Sequence, residues 1–216
     1  MNIANLRNSK ISSGRRLNTT RGASLIEVMV SVVVLSIGLL GVAGLQAGVA
    51  KYKINTWSRA ALSTLYGDFS DRVRMNSDVA GSNFVTGVSA TSQYLLSNNW
   101  AAQQAQTLTT PTPNCLSATC TTTERATFDM IVWRQRVRTE LPQGAAMVSG
   151  DRRDGIDITL MWLDKEHTDK GSDKDSVLIS SETCDGTETG MARQSCCPAA
   201  AAVPAGVRCA QFTFLP

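Results

Sequence analysis

The chain has little with which to do chemistry: its 216 residues include one histidine, His167, and no paired nucleophile motif lies near it. Catalysis needs positioned acids, bases or nucleophiles, so no catalytic residue is assigned and an enzyme is not expected. Proline is missing from residues 23 to 76, and cysteine from residues 1 to 114. Residues 1 to 22 hold no acid, and residues 23 to 50 hold no charge except Glu27. Each absence excludes something. Nothing breaks a helix between residues 23 and 76. The uncharged run is too long for the apolar region of an ordinary secretory signal, roughly 7 to 15 residues, and long enough to span a bilayer. The net charge of +3 is also misleading: Arg7, Lys10, Arg15, Arg16 and Arg21 are five of the 21 basic residues, leaving 16 against 18 acids. Residues 23 to 216 therefore carry no basic excess that would suggest a nucleic-acid partner.

A basic segment ahead of an apolar span reads as positive-inside orientation, with residues 1 to 22 in the cytoplasm and the C-terminal part across the membrane. The six cysteines, Cys115, Cys120, Cys184, Cys196, Cys197 and Cys209, all lie on that far side, as an oxidising compartment allows. Cys115 and Cys120 sit among Pro111, Pro113 and several threonines. Their short closure predicts a disulfide worth about 2 to 3 kcal/mol in the chain-entropy picture. A zinc site is the rival, weakened by the single histidine and by the lack of paired CxxC spacing. Adjacent cysteines rarely bridge each other, so Cys196 and Cys197 each seek Cys184, Cys209 or stay free; four cysteines allow three pairings and the choice is open. Cys209 is expected to be tied back to an earlier loop.

Trp57, Ala61, Leu65, Phe69 and Val73 recur every fourth residue, so one helix is expected from about Ser24 to Asn76, roughly 80 Å long. Its apolar half contains Gly38, Gly41, Gly44 and Gly48, which either allow close helix approach in lipid or are merely tolerated there. After Asn76 the composition turns to Ser, Thr, Asn, Gln and Gly as far as about Phe128, a connector. Met130, Trp133, Val137 and Leu141, closed by Pro142 and Gly144, predict a short amphipathic helix from Ala126. Ile156, Ile158, Leu160 and Trp162 alternate with Asp157, Thr159, Met161 and Leu163, a strand with one apolar face. Further strands are expected at 145–149, 176–181 and 207–214, with Asp151 to Gly155 as a hairpin turn. The expectation is an α+β fold in which about four antiparallel strands pack on the second half of the long helix. Asp164, Glu166, Asp169, Asp173 and Asp175 form an acidic cluster that calcium could use, but Lys165, Lys170 and Lys174 interleave with them, so a solvated hairpin tip is the expected reading and no metal ligand is assigned. Asp71, Arg72 and Arg74 are read as partner contacts or a solvated face, with the solvated face favoured for Asp71 and Arg74.

The most informative residue is Glu27, at the head of Arg21-Gly22-Ala23-Ser24-Leu25-Ile26-Glu27. A charge in a spanning segment is costly and marks a site with a partner. A cut between Gly22 and Ala23 would create one, because the new α-amine lies i to i+4 from the Glu27 carboxylate. The pattern resembles the type III leader of type IV pilins and pseudopilins. Ser24 to Val28, Val34 to Gly41, Leu45-Gln46 and Asp71 to Asn76 further resemble the PilV type of minor pilin, over residues 21 to 76.

The resemblance implies cleavage after Gly22 by a prepilin peptidase and N-methylation of Ala23, where the family usually begins with Phe. It implies that Glu27 serves subunit assembly and that no cofactor is needed. It also implies four parts: a leader at 1–22, a transmembrane and assembly helix at 23–50, its amphipathic continuation at 51–76, and a globular pilin head with an αβ-loop and antiparallel sheet at 77–216. Implied partners are other minor pilins, the major pilin, an inner-membrane assembly platform, a tip adhesin and membrane lipid. The implied location is the bacterial inner membrane, single-pass with a periplasmic C-terminal domain, and then the extracellular pilus. The implied function is priming of pilus assembly from an initiation or tip complex, supporting adhesion or twitching motility. The alternatives are a minor pseudopilin of a type II secretion system and a plain membrane-anchored binding domain.

Overall fold

The structure, a computed structural model, describes residues 22–80, 92–152, 154–169 and 177–216. In chain order its elements are α1 (Leu25–Met75), α2 (Ser77–Ala80), α3 (Trp100–Ala105), α4 (Thr122–Glu140), β1 (Ala145–Asp151), β2 (Gly155–Leu163), β3 (Thr183–Cys184), α5 (Met191–Ser195), β4 (Cys197–Pro198) and β5 (Val207–Phe214). The chain divides into two compact units, Met1–Val49 and Ala50–Pro216. In the first, the described residues from Leu25 onward belong to the apolar half of α1. Leu25–Ala50 is long and apolar enough to cross a membrane, and none of it is buried.

In the second unit the fourfold spacing of α1 becomes a buried face: Ala61, Leu65, Phe69 and Val73 all lie in the core. Trp57 does not. It was counted with that stripe by spacing, yet it is 66% exposed, because the sheet and α4 cover α1 only from about Ser58 onward. Phe69 is the hub, with ring centroids 4.4 Å from Trp133, 6.0 Å from Tyr94 and 6.3 Å from Phe214. Trp133 also donates its indole N–H to the Leu65 carbonyl at 2.9 Å, so the bulkiest core side chain leaves no polar atom unsatisfied.

α4 starts four residues before the expected Ala126. The Thr121 hydroxyl accepts the Glu124 N–H, and the Glu124 carboxylate accepts the Thr121 N–H at 2.8 Å. This reciprocal capping box satisfies two donors of the first turn. The same bonds from Thr121 hold the Glu124 carboxyl below its usual range. At the other end a Cβ on Gly144 would stand 2.1 Å from the Val137 carbonyl oxygen, so only glycine fits that turn.

The main sheet has three strands in the order β1-β2-β5, all antiparallel. The β1–β2 hairpin turns where expected, with Gly150 and Gly155 at φ 100° and 109°, conformations that L side chains seldom adopt. Arg153 in that turn lies outside the described residues. The expectation of four strands is corrected: at 177–181 there is only an isolated bridge, Thr168 to Leu178, and residue 176 lies outside the described set. Ile179 donates to His167 and Asp169 donates to Val177, so this segment pairs chiefly with its own neighbour and meets the sheet edge only where Gly206 donates to the Ile179 carbonyl at 2.8 Å. β2 is also buried on both faces. Ile156, Ile158 and Leu160 join the α1–α4 core, whereas Met161 enters a second cluster with Trp100, Ala145, Val207 and Cys209.

The connector is more structured than its composition implies. Asn99 caps α3 by accepting from Ala102 N–H at 2.9 Å. Trp100 and Gln103 are buried, and the Gln103 amide both donates to Ala146 O at 2.7 Å and accepts from Ala146 N–H at 3.2 Å. A side-chain amide thus stands in for a strand partner beside β1. Three disulfides close the head: Cys115–Cys120, Cys184–Cys196 and Cys197–Cys209. The last two flank a two-residue parallel pairing of β3 with β4 that no hydrophobic pattern in the chain foreshadows.

Candidate functional site

Gly22, Ala23 and Ser24 are exposed and precede α1. Ser24 acts as its N-cap: its carbonyl accepts from Glu27 N–H at 3.0 Å and Val28 N–H at 3.2 Å, and its hydroxyl accepts from Glu27 N–H at 3.3 Å. The signal for this role was present in the Ser24-x-x-Glu27 spacing and was passed over in favour of the charge on Glu27. Glu27 itself is exposed in the first turn, where the helix dipole favours a negative charge. α1 begins at Leu25, so Ala23 stands outside the helix, and helical i to i+4 geometry does not set the distance between Ala23 and Glu27. At Gly38, Gly41, Gly44 and Gly48 an added Cβ would meet no atom within 4 Å; these positions form an open stripe.

The remaining candidates resolve into structural roles. His167 Nε2 lies 3.2 Å from Ser181 Oγ, but Ser181 donates its proton to the Val207 carbonyl at 2.5 Å. The hydroxyl is committed to the backbone, and the pair is not poised as a base with its nucleophile. Burial, and then the nearby Arg208, push the His167 pKa down. Within the acidic cluster, Asp164 is buried and pairs with Arg208 Nε at 2.8 Å while accepting from Glu166 N–H at 2.9 Å. Asp173, Asp175, Lys170 and Lys174 lie outside the described residues. Among the described residues no group of three or more His, Cys, Asp or Glu is placed to hold a metal ion.

At the C-terminal end of α1, Arg72 bridges Asp68 at 3.0 Å and Asp129 at 2.9 Å. Asp129 also accepts from the Tyr94 hydroxyl at 3.0 Å, and Asn76 donates to Tyr94 and to Thr122 O. Burial drives the Tyr94 phenol well above its usual pKa, so it stays a neutral donor. Arg74 donates to Leu215 O and lies 5.5 Å over the Phe214 ring. Arg72 is half-buried and ties α1 to α4, whereas Arg74 lies on the exposed face, as expected, while its guanidinium also reaches Leu215 and Phe214. Asp71 is exposed as well.

The prokaryotic N-terminal methylation motif matches residues 17–43, a stretch holding Gly22, Ala23, Glu27 and the first half of the apolar span. Nothing among curated proteins, and nothing among solved structures, matches the chain. The motif marks a type IV pilin-like protein, of a pilus or a pseudopilus, and it fits membrane anchoring through Leu25–Ala50.

Proposed function

We propose that the chain is a minor pilin of a type IV pilus, of the PilV type. Its residues 1–22 are a leader removed by prepilin peptidase after Gly22, and Ala23 is then N-methylated. Residues 23–50 are the membrane and assembly helix, 51–76 its continuation, and 77–216 the head, which is periplasmic until the subunit joins the fibre. The observation that carries this reading is Glu27, the lone carboxylate of the 26-residue span Leu25–Ala50, placed inside the methylation motif. A charge at the centre of a spanning helix costs about 2.5 to 3.5 kcal/mol on insertion scales, and a buried charge that gains an opposite charge recovers much of that cost. The start of α1 at Leu25 favours the amine of a neighbouring subunit over the chain's own as the partner.

The function is assembly rather than catalysis: with other minor pilins the subunit primes polymerisation of the major pilin on the inner-membrane platform and sits near the tip, where an adhesin can join it. A minor pseudopilin of a type II secretion system shares the matched motif and is the second reading. Intact mass of the protein from membranes tests the proposal. The expected mass is that of residues 23–216 plus one methyl group. A chain that retains residues 1–22 would end the reading, and the cleaved mass without the methyl would remove only the modification at Ala23.

A further inference from the structure

Beside the start of the head, α1 and the C-terminal end of α4 enclose a shallow cleft of about 460 Å³, lined by Lys53, Trp57, Arg138, Glu140, Leu141 and Pro142 among others. Trp57 is its exposed wall, whereas Trp100, Trp133 and Trp162 are buried. Arg138 is held in place by donating to the Gln103 and Gln106 carbonyls, and among the described residues it has no carboxylate partner; nor does Lys53. The one acid in the cleft, Glu140, is engaged by Arg136 at 2.8 Å. The cleft therefore offers two uncompensated cations, an indole face and an apolar floor of Leu141 and Pro142.

Its position along α1 says what could fill it. The candidate span ends at Ala50, and at 1.5 Å per residue Lys53 and Trp57 follow by about 4.5 and 10 Å. Helical side chains lean toward the N-terminus of their helix, so both lean back toward the span. The headgroup layer beyond the hydrocarbon core is about 5 to 8 Å deep on each side, and tryptophan concentrates there. Attraction of the whole head to an anionic surface cannot account for binding, since residues 51–216 hold 16 basic and 17 acidic residues. Any preference for anionic lipid has to be local.

We propose that this cleft seats the phosphate headgroup of an anionic membrane lipid, with Lys53 and Arg138 on the phosphate and Trp57 beside the glycerol region. The proposal rests on the membrane-anchored reading of Leu25–Ala50. It gives the stored subunit a lipid-filled surface that must empty before α1 leaves the bilayer.

The test uses the full chain reconstituted in vesicles of phosphatidylcholine, or of phosphatidylcholine with phosphatidylglycerol, each with the same small fraction of nitroxide-headgroup phosphatidylcholine. Tryptophan quenching is read together with vesicle co-sedimentation. Quenching is expected to be stronger with phosphatidylglycerol and lost in Trp57→Phe. A cation near an anionic leaflet is worth about fivefold in affinity, so Lys53→Glu should reduce the phosphatidylglycerol-dependent part about fivefold or more. Arg193→Glu, an exposed charge reversal in α5 away from the cleft, should leave it intact. Equal quenching in the two vesicle types, by protein that co-sediments with both, would overturn the headgroup site while leaving the anchor standing, as would an equal loss with Arg193→Glu. Failure to co-sediment with either would overturn the anchor and the site together.

Discussion

Arg72 and Arg74 lie two residues apart on α1, on faces about 200° apart, and that angle separates their roles. Arg72 turns inward to the pair Asp68 and Asp129, whose side chains are 19% and 10% exposed; Asp71 turns to water. Truncating one member of a fully buried pair typically costs 3 to 5 kcal/mol. Arg72 keeps a quarter of its side chain exposed, so Arg72→Ala is expected to cost about 2 to 3 kcal/mol on that scale. Arg74→Ala should cost about 1 kcal/mol, the scale of a partly exposed cation–π contact, and Asp71→Ala no more than about 0.5. Thermal unfolding of the detergent-solubilised chain, followed by near-ultraviolet circular dichroism, ranks the three. An Arg72→Ala midpoint equal to that of Asp71→Ala would mean that the Arg72–Asp129–Tyr94 network adds no stability. Charge pattern alone could not separate these residues, since all three are polar and near one another in sequence. Only the position of Asp129 on α4, 57 residues away, decides which of them is inside.

At the scale of elements, the two disulfides with 12-residue separations hold together a region with very little regular structure: α5 has five residues, and β3 and β4 two each. Replacing Cys197 and Cys209 together by serine should cost about 3 kcal/mol in the loop-closure picture, because the covalent tie of β4 to β5 is lost while that to β3 through Cys184–Cys196 remains. The same change at Cys115 and Cys120 closes a shorter loop and should cost less, about 2 kcal/mol. Alkylation without reduction followed by peptide mapping should find Cys184 with Cys196 and Cys197 with Cys209; the crossed pairing would contradict the fold around β4. What the sequence made legible was what repeats: the 3.6-residue period of α1 and α4, the alternation of β2, and the hairpin between β1 and β2. The long-range devices were not. Gln103 pairing with Ala146, the second core around Met161 and the choice among three cysteine pairings all depend on neighbours distant in sequence. The segment at 177–179 is apolar enough to read as a strand, but it pairs with 167–169 and touches the edge of the sheet only through the Gly206 N–H donated to the Ile179 carbonyl, just before β5. Glu27 stood out because its setting is compositional, a single charge in a long apolar run, whereas Trp57 was misread because its spacing matched the core stripe while the head does not cover that turn.

For the whole molecule, the proposed function has membrane storage and assembly make different demands on the same helix. Glu27→Val removes a charge, so insertion should be unharmed or improved. Docking should fail, because the incoming amine would meet no counter-charge in an apolar fibre core. The expected variant is cleaved and stable in membranes, yet absent from sheared pili, with piliation reduced as in a deletion. Normal incorporation into the fibre would remove the role given to Glu27 and leave the fold untouched. The tandem closures at Cys184–Cys196 and Cys197–Cys209 carry a further mechanical consequence. A filament subunit is loaded in tension, and a chain pulled between its ends cannot release the length enclosed by a covalent loop. Twelve residues extend to about 40 Å, while the bridged Cα atoms stand 5.1 and 5.3 Å apart. Single-molecule pulling of the oxidised head should therefore yield a contour about 70 Å shorter than that of a head in which these two bridges are replaced by serine pairs. The missing length is concentrated at the C-terminal edge of the sheet, so a subunit stretched past its yield point would still keep β4 locked to β5.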